Sequence, residues 1–490
     1  MISTDKSILI IGAVLFVISA WFFIRPGSGI HMLSAVVSGK KQNIISFAVI
    51  FLTVAVCTLP MGLSPYYNGE IPAQRDQYEE TARAFLDGRL YIDNDDIDEA
   101  LLSMENPYDP DARDELGVYY EWDHALYNGH YYMYFGVVPV LLLFLPFRAI
   151  TGSDLTTYHA TQIFAALFII GLFLLMRKIA RRFFDEMPLS VFLFLFASFS
   201  MMSLWYIVSA PALYCTAIVS AICFAVWSIF FYIKAVYDDI PFNKSVGYGV
   251  LGSLCGALVF GCRPSVALFF IIVFPVLLLF IKKYKKEKKL LPGILLAAFP
   301  YFVIGALLML YNYARFENPF EFGQTYQLTV ADQRELGNAP LSMQLESFWK
   351  GLKEFFFGFD TLNIEYGVFV TFPILAVSVL GFAFGTVRER IRRNGQTLLV
   401  VFLFLAVLAI IAADSVWSPY IVFRYFSDIY WLMGIITFIV LGYIYSGVGD
   451  KTTLNTVLCL FALAVAAVSV ILFWIPNDCN YADYLSMQLS

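Results

Sequence analysis

The sequence predicts an all-α polytopic membrane protein with about twelve transmembrane helices, and three observations point to it. Of its 490 residues, 60% are hydrophobic and only 14% charged, a balance too apolar for a soluble domain. Apolar stretches of about 20 residues, the length that crosses a bilayer, recur from end to end. Lysines and arginines collect in the short connections, while one long connection, 63–134, carries seventeen acids against Arg75, Arg83, Arg89 and Arg113. So acidic a loop belongs on the non-cytoplasmic side.

The first apolar run, 8–24, follows Lys6 in the manner of a signal peptide, but Arg25 and Pro26 follow it without a small-residue cleavage site, so it reads as a retained span. Further spans are expected at 44–63, 157–176, 189–208, 211–236, 246–262, 264–281, 291–311, 366–387, 396–413, 428–446 and 452–474. Lys40 and Lys41, the arginine-rich end at 177–182, the lysines of 282–289, and Arg388, Arg390, Arg392 and Arg393 should all be cytoplasmic. They share one side only if 134–150 does not cross. That segment carries Gly136, Pro139 and Pro146, which suits a re-entrant or interfacial piece, tolerated at membrane depth when packed in protein or lining a cavity. The insert 64–156, the loops 312–365 and 414–427, and the tail after Trp474 then share the outer face. The chain divides into an extra N-terminal helix with its cytoplasmic loop (1–43), a membrane core (44–446), and a last helix with its outer tail (447–490).

Within the insert, Tyr78, Ala82, Phe85 and Leu86 recur at helical spacing before Asp87-Gly88, predicting an amphipathic helix from Arg75 to Asp87. Leu345, Phe348, Trp349, Leu352, Phe355 and Phe356 form an apolar stripe suited to the outer headgroup layer. Asp93 to Glu115 reads as an irregular acidic loop. Its oxygen ligands are plentiful enough for calcium, although the EF-hand pattern is absent, so the cofactor is open, with a divalent cation among the candidates. Gly252 and Gly256 read as close helix packing. The cysteines form no disulfide framework and no zinc spacing.

Four strings carry more than composition: RDQYEETARAFLDGRLYID, WDHALYNGHYYMYFGVVPVLLLFLPF, YNYARFENPFEFGQTYQLT and FRYFSDIYW. In that order they resemble the multi-pass glycosyltransferases of the C superfold (GT-C), in particular bacterial relatives of the protein mannosyltransferase and aminoarabinose transferase group, over about 44–446. The resemblance implies a polyprenyl-phosphate sugar donor, transfer of a hexosyl or pentosyl group to a glycan, lipid or protein acceptor on the outer face of a bacterial plasma membrane, and an acid early in the first outer loop. By position that acid is Asp76. The chain departs from the pattern in having Asp76-Gln77 where relatives place Asp-Glu or a lone Glu, so Glu70 and Glu80 stand as rivals. It departs again in having Met133-Tyr134 where relatives often carry a lysine.

Such chemistry needs a carboxylate as general base, here Asp76, and positive charge where the phosphate leaves. Arg424 is the leading cation, because it sits in a mainly apolar outer loop and its planar fork suits a phosphate. Its bland alternative is a salt bridge to Asp428 or Asp414. Arg263 and Arg315 are further candidates, against snorkelling for the first and interface anchoring for the second. Asp123 could bind acceptor or metal, and His124 could be a ligand or proton carrier. Tyr132 could stack on a sugar or belong to an aromatic belt, and Glu321 enters through the resemblance alone. A secondary transporter would also fit twelve crossings but should show related halves. A non-catalytic polysaccharide-assembly protein would share the topology without needing Asp76. No glycine-rich phosphate loop appears, which argues against a nucleotide-sugar donor, and nothing suggests a nucleic-acid partner.

Overall fold

The computed structural model describes residues 20–63, 77–92, 97–211, 213–360, 365–418 and 421–473. Among these, nine helices are long and apolar enough to cross a membrane: Lys40–Gly62, Thr157–Phe183, Leu189–Ser209, Leu213–Tyr237, Pro264–Tyr284, Leu290–Phe316, Thr397–Trp417, Phe423–Gly447 and Thr452–Leu472. In hydrocarbon every backbone N–H and C=O must be satisfied within the segment, and helices do this. A tenth helix, Phe242–Phe260, is made less apolar by Asn243, Lys244 and its glycines, and packs lengthwise against Leu213–Tyr237 and Leu290–Phe316. Small residues set these approaches: Gly252 lies against the Tyr232 ring and Gly256 against Tyr301 and Ser228, as the spacing of the two glycines suggested. The bundle is organised around Phe423–Gly447, which is 89% buried over its most apolar stretch.

Residues 8–19 of the first expected span lie outside the described residues. The expected single helix at 366–387 is corrected: the chain there is broken into Val368–Thr371, Pro373–Ala376, Val377–Leu380 and Gly381–Ala383, followed by Gly385–Arg393. Pro373 cannot donate into a continuing helix. The segment still traverses the bundle beside the central helix, with the Phe372 ring 5.3 Å from Tyr430, Gly381 against Val440, and Asn394 Nδ2 donating to the Tyr443 hydroxyl at 2.8 Å.

The basic clusters gather at one end of the bundle. Arg177 and Arg181 donate to Ser38, Lys178 pairs with Asp238, Lys283 donates to the Ala235 carbonyl at 3.0 Å, and Lys451 pairs with Glu186. Segment 134–150 stays at the opposite end and does not cross. The Val138 N–H donates to the Gly261 carbonyl at 2.8 Å, the Phe144 ring stacks on Tyr78 at 5.2 Å, and Asp154 pairs with both Arg148 and Arg83. Gly136 lies so close to the Gly261 and Cys262 carbonyls that no Cβ fits.

Above this end sits a polar layer. The predicted amphipathic helix runs Gln77–Leu86 and stops before Gly88 at φ 75°. The stretch expected to be irregular is corrected, because Glu99–Ser103 and Pro110–Leu116 are helices whose N-caps are Asp98 and Asp109. Carboxylates that read as solvated acids accept from backbone N–H groups there. The Leu341–Phe357 helix turns Phe348, Leu352, Phe355 and Phe356 onto the bundle and leaves Leu345 and Trp349 exposed. Its Gly351 is in tight contact with Ser415.

Candidate functional site

A cavity of about 370 Å³ opens between the polar layer and the helix ends, a volume in the range of small-molecule sites. Four sequence-distant pieces build it: the turn at Trp122 and Asp123 with Tyr134, the junction at Arg263, the loop through Gln324, Gln327 and Gln333, and the facing helix ends at Asp414 to Ser418 and Val422 to Tyr425. Polar groups thus converge on a concave surface also lined by Tyr214 and Trp417.

Asp123 is held in the left-handed region at φ 56°, a conformation costing a non-glycine residue roughly 1 kcal/mol or more. Four hydrogen bonds pin its turn. The Asp123 N–H donates to the Leu328 carbonyl at 3.0 Å, and the Leu328 N–H donates to the His124 carbonyl at 2.9 Å. Gln77 Nε2 donates to the Asp123 carbonyl at 2.9 Å, and Gln327 Nε2 donates to Asp123 Oδ1 at 2.7 Å. The carboxyl is buried, and burial pushes its pKa up despite the nearby Arg424 and the bond from Gln327.

Arg424 lies on the first turn of the central helix with its guanidinium 4.2 Å from the Tyr214 ring centroid, a cation–π contact at the cavity wall. Arg263 does not snorkel. Its Nε and Nη2 reach Asp428 Oδ2 at 2.8 and 2.7 Å, where Asp428 is fully buried and Arg263 only 14% exposed. The acid weighed in sequence as a partner for Arg424 is therefore bonded to an arginine from another element at the same depth. Asp414, also buried, lines the same cavity beside Arg263 and Ser265.

Of the candidates named from sequence, Asp123, Arg263 and Arg424 share the cavity, whereas His124, Arg315, Glu321 and Tyr132 do not line it. His124 lies behind it, with Nδ1 2.9 Å from the Trp122 carbonyl and Nε2 3.9 Å from Glu80 Oε2. Arg315 is buried as a staple, donating to the Met133 carbonyl at 2.7 Å and to Asn312 Oδ1 at 3.0 Å. Glu321 Oε1 accepts from the Gly323 N–H at 2.6 Å and shapes the turn that presents Gln324. Tyr132 packs on Phe316 at 5.2 Å. Asp76 and Glu70 lie outside the described residues. Among the described residues, no group of three or more His, Cys, Asp or Glu side chains is gathered to hold a metal ion.

Sequence reasoning passed over Gln324, Gln327, Gln333, Tyr214 and Trp417 as lining residues. Gln324 and Gln327 stood inside one of the quoted strings, whereas no motif or spacing marked Tyr214 and Trp417. Also missed was Arg113, fully buried, which donates to the Pro107 and Thr329 carbonyls at 2.7 and 2.6 Å and sits 4.4 Å from the Tyr120 ring. It ties the first outer loop to the strand of chain that carries Gln327.

No family model and no curated protein matches the chain. Among solved structures, it is similar to the apo crystal structure of an Archaeoglobus fulgidus oligosaccharyltransferase, with a TM-score of 0.47 and 12% identity over 90% of this chain. The match spans 57% of that transferase's length. At that score the likeness carries no argument, and what the cavity does rests on its own residues.

Proposed function

We propose that this protein is a membrane glycosyltransferase that moves a sugar from a polyprenyl-phosphate donor to an acceptor on the non-cytoplasmic face. The observation that carries the reading is the meeting of Asp123 and Arg424 in one aromatic-lined cavity, at the end of the bundle remote from the basic clusters. By the positive-inside rule that end faces away from the cytoplasm. Arg424 would stabilise the charge growing on the departing phosphate, an interaction strengthened where water is scarce. The glutamines and aromatics of the lining suit sugar hydroxyls and sugar faces. Asp76 is the base on sequence grounds, and Asp123 orients the acceptor.

Transport is the weaker reading. The Arg263–Asp428 pair lies at the cavity floor, and beneath it Phe269 and Trp431 pack edge to face at 6.0 Å, both buried. A transported solute would have to pass this plug.

The test is transfer by purified protein in detergent or liposomes from a panel of polyprenyl-phosphate sugars, alongside lipid-linked sugar in cells with and without the gene. Product formation that is lost in Asp76→Asn, with the protein still folded, is expected. Accumulated product unchanged in cells lacking the protein, with no transfer from any donor in the panel, would sink the reading.

A further inference from the structure

At the basic end, the Pro264–Tyr284 and Leu290–Phe316 helices are joined by a tight loop yet barely touch each other. A cavity of about 110 Å³ lies between them and the two helices behind, Leu213–Tyr237 and Phe242–Phe260. Val276, Phe280, Ile294 and Ala298 line it within the first few turns from the loop. Its polar lining residues are turned on one another: the Tyr232 hydroxyl lies 2.9 Å from Ser253 Oγ and 3.4 Å from the Tyr301 hydroxyl. What remains open is hydrocarbon. The outer helix of the hairpin is the least buried span among those described, with Leu291, Leu295, Phe299 and Phe302 exposed, so the cavity sits at the lipid-facing surface.

The loop directly beyond this cavity, 282–289, carries six lysines and one acid, Glu287. Lys283 is committed to the Ala235 and Asp238 carbonyls, while Lys282, Lys285, Lys286, Lys288 and Lys289 are exposed. An apolar slot open to acyl chains and a dense positive charge at headgroup height thus lie one above the other.

We propose that this hairpin is a binding site for one anionic glycerophospholipid of the leaflet at the basic end, its acyl chain in the slot and its phosphate on the exposed lysines. Charge complementarity selects the headgroup, because juxtamembrane lysines attract anionic lipid and basic pockets between spans bind anionic headgroups. The apolar lining selects the tail, since a dry apolar cavity takes hydrocarbon and not water. The site is separate from the cavity at the opposite end, and its test needs no transfer reaction.

Native mass spectrometry of the purified full chain, supplied with equal phosphatidylglycerol and phosphatidylcholine, should show one retained lipid with phosphatidylglycerol in about tenfold preference or more, given several lysines near the phosphate. The variant Lys282→Gln/Lys285→Gln/Lys286→Gln/Lys289→Gln should bring the two lipids to parity. Ala298→Phe, which fills the slot, should remove the retained lipid at an unchanged melting temperature; if that variant does not fold, Ile294→Trp serves the same purpose. Equal retention of both lipids by the wild type, or a lipid still held with the slot filled, would overturn the proposal.

Discussion

Replacing Asp428 by asparagine keeps the shape of the side chain but removes the charge that faces Arg263. At 2.7 Å and an effective dielectric constant of about 20, that pair has a gross attraction of roughly 6 kcal/mol. Part of this is offset because the carboxylate's desolvation is relieved, but the guanidinium stays buried, and breaking buried pairs by removing one partner costs about 3 to 5 kcal/mol. Here Asp414 lines the same cavity as Arg263 and leaves a second carboxyl close to the guanidinium, so the cost of Asp428→Asn should fall near the lower end, about 3 kcal/mol. Asp414→Asn alone should cost only about 1 kcal/mol, the size of one typical net polar interaction, because Asp428 keeps its bonds to Arg263. The double variant should cost clearly more than the two singles added, since only then is the guanidinium left without an anion. Reversible unfolding in mixed micelles, followed by tryptophan fluorescence, measures all three. Asp428→Asn within about 1 kcal/mol of wild type, or strict additivity, would refute the idea that Arg263 depends on Asp428 with Asp414 as its reserve partner.

Other expectations can be checked in the same preparations. Because burial raises the Asp123 pKa, the folded chain holds that proton more tightly than the unfolded chain, and stability falls as pH rises from the ordinary value of 3.8 through the raised one. Asp123→Asn should therefore raise the melting temperature at pH 7 and flatten that pH dependence while lowering transfer; a lower melting temperature would count against the burial argument. Arg424→Ala should reduce transfer by roughly 10²- to 10³-fold and Arg424→Lys should recover only part, with donor titration as the assay and equal rates for both variants as the contrary result. Arg113→Ala removes two buried hydrogen bonds from a charged donor and should cost about 3 kcal/mol, read as faster proteolysis of the outer layer; unchanged digestion would mean the two loops hold together without it. Single cysteines at Glu105 and Ser342 in a background with the native cysteines replaced should react with an impermeant maleimide on intact cells, and one at Lys285 should not; the opposite pattern would invert the topology.

Much of this architecture was legible in the chain because the bilayer is a simple solvent. It demands apolar segments of a set length, and it sorts lysines and arginines by side, so the positions of most of the described spans and the separation of 134–150 from the basic end could be read from composition and charge, while the broken passage at 366–387 could not. Local chemistry is written in the chain too: Asn128-Gly129, whose residues both adopt positive φ, closes a hairpin with Ala125 opposite Tyr132. What composition could not show was which charge meets which. Arg263 and Asp428 are 165 positions apart, and Gln327 and Asp123 are 204 apart, separated by helices whose packing decides where their ends lie. The i,i+4 spacing of Arg424 and Asp428 offered a local partner, but Asp428 is bonded to Arg263, which the Phe242–Phe260 helix delivers to the same depth. In the same way the acids at 98 and 109 became helix caps and Arg113 a buried tie, because backbone groups hidden by the folded outer layer needed partners that no linear pattern announces. Hydrophobic sorting acts on segments and is written in their composition, whereas hydrogen bonds and ion pairs act over about 3 Å and exist only once those segments have been placed.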